Sequence, residues 1–281
     1  MRYLPRIPLP PRVLTALGNY QGDLGAAVEA ELKKNAPEVA ERIESFWKAR
    51  RSTTTLKAVE RALRAMASGL ERCMYCEDSR GCDIEHMYPK VPYPSKAFLW
   101  LNLLLVCADC NRQKNDAFDE GILDPTTEDP LDHIVLSFTT GRYAARDDSP
   151  RGAATLRIVR RVASDQILTQ GRQLAVAKIR IFLRDFDARQ TEGRLEDADR
   201  IRGVLVNEPF SAAFAAVLRA SREPGATDVL GEELVDVVSR HPTMHRWLKE
   251  ADDARTAAAM PELAALARAV RIRRGLTKES Y

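Results

Sequence analysis

The spacing of apolar positions changes character along the chain. From Thr53 to Leu70, apolar residues recur at Leu56, Val59, Leu63, Met66 and Leu70. That is the three-to-four spacing of a helix burying one face, and Thr53 to Thr55 offer a cap for its start. Upstream, residues 22–50 read as helix interrupted at Pro37, and the first twenty residues, with Pro5, Pro8, Pro10 and Pro11, read as extended. Between 73 and 118 short apolar runs alternate with turn formers. Cys82 to His86 predicts a short strand, Met87 to Ser95 a loop with three prolines, Leu103 to Val106 a buried strand, and Ala108 to Phe118 a short polar helix.

Further on, residues 121–162 read as irregular with β-rich runs at His133 to Phe138 and Thr155 to Val162, separated by Gly141. From about 165 to 275 the pattern is helical. One stripe runs through Leu174, Ile179, Phe182, Leu183 and Phe186, another through Leu195, Ile201, Val204 and Leu205. Breaks are expected near Gly193, Pro209, Pro224-Gly225 and Pro242. The expectation is an α+β protein in four parts: an extended segment and helices over 1–72, a small metal centre over 73–125, an irregular extension over 126–164 and a helical region over 165–281.

Composition narrows the class. With 281 residues, 45% hydrophobic and 30% charged, the chain has the make-up of a globular protein. No signal peptide and no membrane-length apolar run is visible, so a cytoplasmic location is expected. The net charge of +3 is weakly basic. Basic residues cluster at Lys48-Ala49-Arg50-Arg51, at Arg157 with Arg160-Arg161, and at Arg271 with Arg273-Arg274, and each cluster on its own reads as a solvated helix face. The remaining histidines, His133, His241 and His245, read as structural or surface residues.

Five cysteines in a reducing compartment point to metal before disulfides. Cys73-Met74-Tyr75-Cys76 and Cys107-Ala108-Asp109-Cys110 are two chelating pairs, which together supply the four thiolates of a closed structural zinc site. Cys82 stands apart. The long gap between the pairs implies an inserted unit. It holds Cys82-Asp83-Ile84-Glu85-His86-Met87-Tyr88-Pro89-Lys90 and Trp100-Leu101-Asn102-Leu103, and Asn111-Arg112-Gln113-Lys114 follows the second pair.

From Cys73 to Lys114 the chain resembles the HNH endonuclease family in its zinc-knuckle form. The resemblance implies a ββα-metal core in a mainly helical protein. Glu85-His86 match the acidic-His signature, Asn102 the Asn before an apolar strand, and Asn111 the residue after the second cysteine pair. It further implies His86 as general base, Asn102 as organiser of the His86 loop, and Glu85 and Asn111 as oxygen ligands of a catalytic Mg²⁺ or Mn²⁺. Family members usually carry Asp at the position of Glu85, and Asp83 is the alternative carboxylate. Lys90, Arg112 and Lys114 are candidate phosphate contacts. Adjacent strand residues face opposite sides, so Glu85 and His86 share a site only if the strand ends or bulges there.

Residues 1–140 also resemble the HNH subunits of Septu-type and retron-associated anti-phage defence systems, which work with a separate ABC or SMC-like ATPase. This chain has no phosphate-binding Gly-rich loop of its own. The expected function is metal-dependent cleavage of nucleic acid, DNA or RNA. The rival readings are a non-catalytic zinc module binding nucleic acid or a protein, and a nuclease of restriction or mobile-element movement. The region 165–281 is expected to dock the ATPase or form a nucleic-acid channel.

Overall fold

The computed structural model describes residues 1–33 and 38–272. The expected break at Pro37 and the basic residues Arg273 and Arg274 lie outside them. Residues 1–10 form no helix or strand, and Leu4 donates its N–H to Pro125 O. Helix α1 begins at Pro11, earlier than the proline pattern predicted (Pro11–Lys33). Pro11 occupies the first helical position, where its missing N–H would have had no partner. α2 (Val39–Arg50) follows, then α3 (Thr54–Met66), whose cap Thr53 accepts from the Leu56 N–H. Leu56, Val59, Leu63 and Met66 are all buried, and α3 packs against β2 and the last helix.

Two short antiparallel sheets follow. β1 (Asp83–His86) pairs with β2 (Leu103–Val106) in the register Asp83↔Val106 to His86↔Leu103. Every residue of β2 is fully buried, so the hairpin is anchored on its second strand. α4 (Ala108–Lys114) leaves β2 directly and packs back on β1. The second sheet pairs β3 (Ile134–Leu136) with β4 (Tyr143–Ala145).

The β-rich run at Thr155 to Val162 is helical instead, lying in α5 (Pro150–Ile158) and α6 (Arg160–Ser164). Thr155, Val159 and Val162 are its buried positions, at helical spacing, and Ser149 caps α5 by accepting from Gly152 N–H. The C-terminal helices are α7 (Gln166–Thr191), α8 (Leu195–Asn207), α9 (Ser211–Ala220), α10 (Ala226–Leu230), α11 (Glu232–Arg240) and α12 (Trp247–Ala269). Breaks fall at Gly193, Pro209, Pro224-Gly225 and Pro242, as expected, and one more falls at Gly231 between α10 and α11.

The buried stripe of α7 is Leu168, Ala175, Val176, Ile179, Leu183 and Phe186. Leu174, assigned to that stripe from sequence, is exposed, as are Leu195 and Val204 of the second stripe.

The two ends of the chain share one core. α12 lies along α3, and the buried Arg2 guanidinium grips Asp252 of α12 at 2.6 and 2.7 Å while its Nε donates to Ser211 of α9. Among the described residues no single helix is long and apolar enough to cross a membrane.

Candidate metal centre and active-site cleft

The first cysteine pair sits in the turns after α3, and the second at the junction of β2 and α4. Hairpin hydrogen bonds hold the turns together: Met74 N–H donates to Leu105 O and Cys82 N–H to Val106 O. Between the first pair and β1, Gly81 must be glycine. An added Cβ would lie 2.4 Å from Leu105 Cγ.

The four sulfurs of Cys73, Cys76, Cys107 and Cys110 all lie within 4.8 Å of one another, with Cys76 Sγ 3.8 Å from Cys107 Sγ. A tetrahedral zinc with Zn–S bonds of about 2.3 Å needs sulfur separations of about 3.8 Å. The buried cluster therefore fits zinc. Hydrogen bonds from Cys110, Cys73 and Cys76 drive the Cys107 thiol strongly toward thiolate. Arg161 adds a cation, with Nη1 3.9 Å from Cys107 Sγ and 3.8 Å from Cys110 Sγ. Burial lowers its pKa, but the cysteines outweigh burial and raise it. In sequence Arg161 read as part of a solvated basic face; its place beside the cysteines carried no local signal.

A cleft of about 330 Å³ opens beside β1 and α4. Asp83, Glu85, His86, Lys90 and Asn111 line it, together with Glu44, Trp47, Lys48 and Arg51 on the α2 side. β1 ends at His86, which removes the alternation that would otherwise separate Glu85 from His86. His86 is buried, with its ring against Trp47 at 4.3 Å between centroids. Its Nε2 lies 3.0 Å from Ala97 O. A carbonyl only accepts, so Nε2 carries the proton and Nδ1 keeps its lone pair. Burial, with Lys90 and Lys114 adding to it, pushes the His86 pKa down to about 3 against the pull of the Ala97 bond. The imidazole is neutral at physiological pH.

Asp83 is half-buried. One oxygen accepts from Asn111 Nδ2 at 3.0 Å, and the other meets Arg51 at 3.2 Å. The Asn111 carbonyl oxygen is left for another partner. Glu85 is buried, and its Oε1 lies 2.7 Å from the Lys114 ammonium. Burial raises the Glu85 pKa and Lys114 opposes the rise. Lys114 is fully buried and also donates to His86 O at 3.0 Å. Lys90 pairs with Glu44 at 2.9 Å, and Arg112 stands outside the cleft, paired with Asp109. Asp83, Glu85 and Asn111 bring side-chain oxygens to one cleft, and oxygens are the ligands a hard divalent ion takes.

Asn102 closes the loop after His86. Its Oδ1 accepts from Tyr88 N–H at 2.7 Å, and its Nδ2 donates to Tyr88 O and Lys96 O. Arg6 and Gln21, two residues the sequence did not single out, hold the same loop. Arg6 donates to Trp100 O, Leu101 O and Leu103 O, while Gln21 donates to Pro94 O and accepts from Phe98 N–H. Both come from the N-terminal segment, so only the fold brings them here.

No protein-family model matches the chain, and no solved structure does. Among curated proteins, the chain is similar to the Septu protein PtuB of Bacillus thuringiensis, 32% identical over 95 residues. The match covers 31% of this chain and 35% of that protein, so the shared stretch spans about a third of the relative's length.

Proposed function

We propose that the chain is a metal-dependent endonuclease with an HNH-type ββα-metal centre. The observation that carries the reading is the cleft beside the cysteine cluster, where a buried neutral His86 with a free Nδ1 meets Asp83, Glu85 and Asn111 on β1–β2–α4. In this reading His86 Nδ1 takes the proton of the attacking water, while the Ala97 carbonyl fixes the ring and stabilises its charged form. Asp83, Glu85 and the Asn111 side-chain oxygen would hold a Mg²⁺ or Mn²⁺. When bound, that ion polarises the phosphate and stabilises the leaving oxygen. Asn102 positions the His86 loop, and Lys114, fixed on Glu85 and the His86 carbonyl, orients α4 against β1. Lys90 stands at the cleft to meet phosphate. Zinc on the four cysteines holds the hairpin.

The similarity to a Septu protein supports a role in anti-phage defence beside an ABC or SMC-like ATPase that controls cutting. The test is an assay of the zinc-loaded chain with added Mg²⁺ or Mn²⁺ on plasmid, single-stranded DNA and transfer RNA, with and without the ATPase encoded beside it. Cutting of at least one substrate that depends on the divalent ion is expected. No cutting in any combination overturns the reading.

A further inference from the structure

The basic run from Lys48 to Arg51 has no task in the chemistry above, yet the fold carries it to the cleft. α2 and the residue after it form one wall, lined by Glu44, Trp47, Lys48 and Arg51. That wall is fixed by Trp47 against the His86 ring, Glu44 on Lys90, and Arg51 on Asp83. Lys48 is exposed and, among the described residues, has no ion-pair partner. The Arg51 side chain is 54% exposed although it reaches Asp83. Lys48 and Arg51 are three apart, so they share one helix face.

We propose that Lys48 and Arg51 bind the phosphates of the nucleic-acid backbone on either side of the bond being cut, making α2 the substrate-side wall of the site. The inference rests on the nuclease reading and names how that site holds its substrate. The chemistry favours phosphate. A guanidinium fork matches two phosphate oxygens, and a free ammonium one turn away supplies a second point of charge. Among the described residues the Arg51 guanidinium pairs with one carboxylate, which Asn111 already engages through its other oxygen, and half-exposed pairs of this kind are weak. A phosphate entering the cleft takes the guanidinium while Asp83 keeps its hydrogen bond from Asn111.

The experiment measures binding of short fluorescein-labelled single-stranded DNA, duplex DNA and RNA to the full zinc-loaded chain, with Ca²⁺ replacing the catalytic ion, over a range of NaCl. For each oligonucleotide that wild type binds, Lys48→Ala/Arg51→Ala should weaken binding about tenfold near physiological salt. It should also make the log–log salt slope shallower by about 2 on duplex DNA, one for each phosphate that is no longer neutralised. Arg51→Lys should keep most of the slope. Arg200→Ala/Arg246→Ala, which removes the same charge outside the cleft, should change neither quantity, and zinc content and melting temperature should stay at wild type. A double variant with wild-type affinity and slope overturns the inference while the nuclease reading stands. Failure of wild type to bind any of the three overturns both.

Discussion

The cysteine cluster and the His86 cleft are built on one hairpin and treat charge in opposite ways. The cluster is closed. Four buried sulfurs surround one point, Arg161 supports them, and no position is left for a reactant. The cleft is open. It pairs buried groups with half-exposed ones, and three of its acidic groups are met by cations of the chain itself, Arg51 on Asp83, Lys114 on Glu85 and Lys90 on Glu44. A site whose ligands are all spent on one soft ion can hold a fold. A site that keeps a base lone pair free in an open cleft can do chemistry. The contrast separates stability from activity, and each prediction presses on one side of it.

The largest effect belongs to the cluster. Cys107→Ala, or removal of zinc by a chelator, should abolish cooperative unfolding of the hairpin region, since structural zinc contributes on the order of 10 kcal/mol to folding. Circular dichroism melts with zinc content measured alongside will show it, and an unchanged melt would mean the sulfurs hold no metal.

Next comes the buried pair behind the cleft. Lys114→Met leaves Glu85 buried without its cation and should cost about 3–5 kcal/mol in urea unfolding. Adding Glu85→Gln should recover most of that loss; equal losses in the single and double variants would show that the pair is not coupled.

Smaller still is Gly81→Ala at the junction of the two regions. The new Cβ meets Leu105, and a loss of about 1–3 kcal/mol is expected. A neutral result would mean that the hairpin gives way there.

The gentlest lever is pH. His86 stays neutral in the folded chain down to about 3, whereas the unfolded residue protonates near 6.5. Between those values the unfolded chain binds the extra proton. The His86 contribution therefore favours folding more as pH rises through that window, by up to about 1.4 kcal/mol per unit, and is level above it. As pH falls through this range, the unfolding free energy of wild type should drop more steeply than that of His86→Ala. Parallel curves would contradict the burial of a neutral ring.

Much of this was legible because local rules and tertiary packing agree. The α3 stripe as far as Met66, the all-apolar β2 and the proline breaks after 165 follow from the sequence pattern, whereas Leu70, expected in the stripe, lies past the helix and is exposed; the convergence of four cysteines follows from two Cys-x-x-Cys pairs. The failures occurred where a short pattern fits two periods. Thr155 to Val162 is rich in β-branched residues, but the Ser149-Pro150 start favours a helix. Leu174 fell on the wrong face because Ile167, Leu174 and Ile181 form a second, exposed apolar row on α7, seven residues apart. In the cleft, the β1 and α4 side chains were legible as a motif. Trp47, Arg51, Arg6 and Gln21 were not, because nothing local distinguishes a residue whose partner lies 30 or more positions away.

The central claim is that cutting depends on His86 while the fold depends on the cysteines. The most direct measurement is the single-turnover cleavage rate of His86→Ala beside wild type in Mn²⁺, on whichever substrate wild type cuts, with zinc content determined on the same samples. A fall of about 10²- to 10⁴-fold with zinc retained is predicted. A variant that cuts at the wild-type rate would contradict the account.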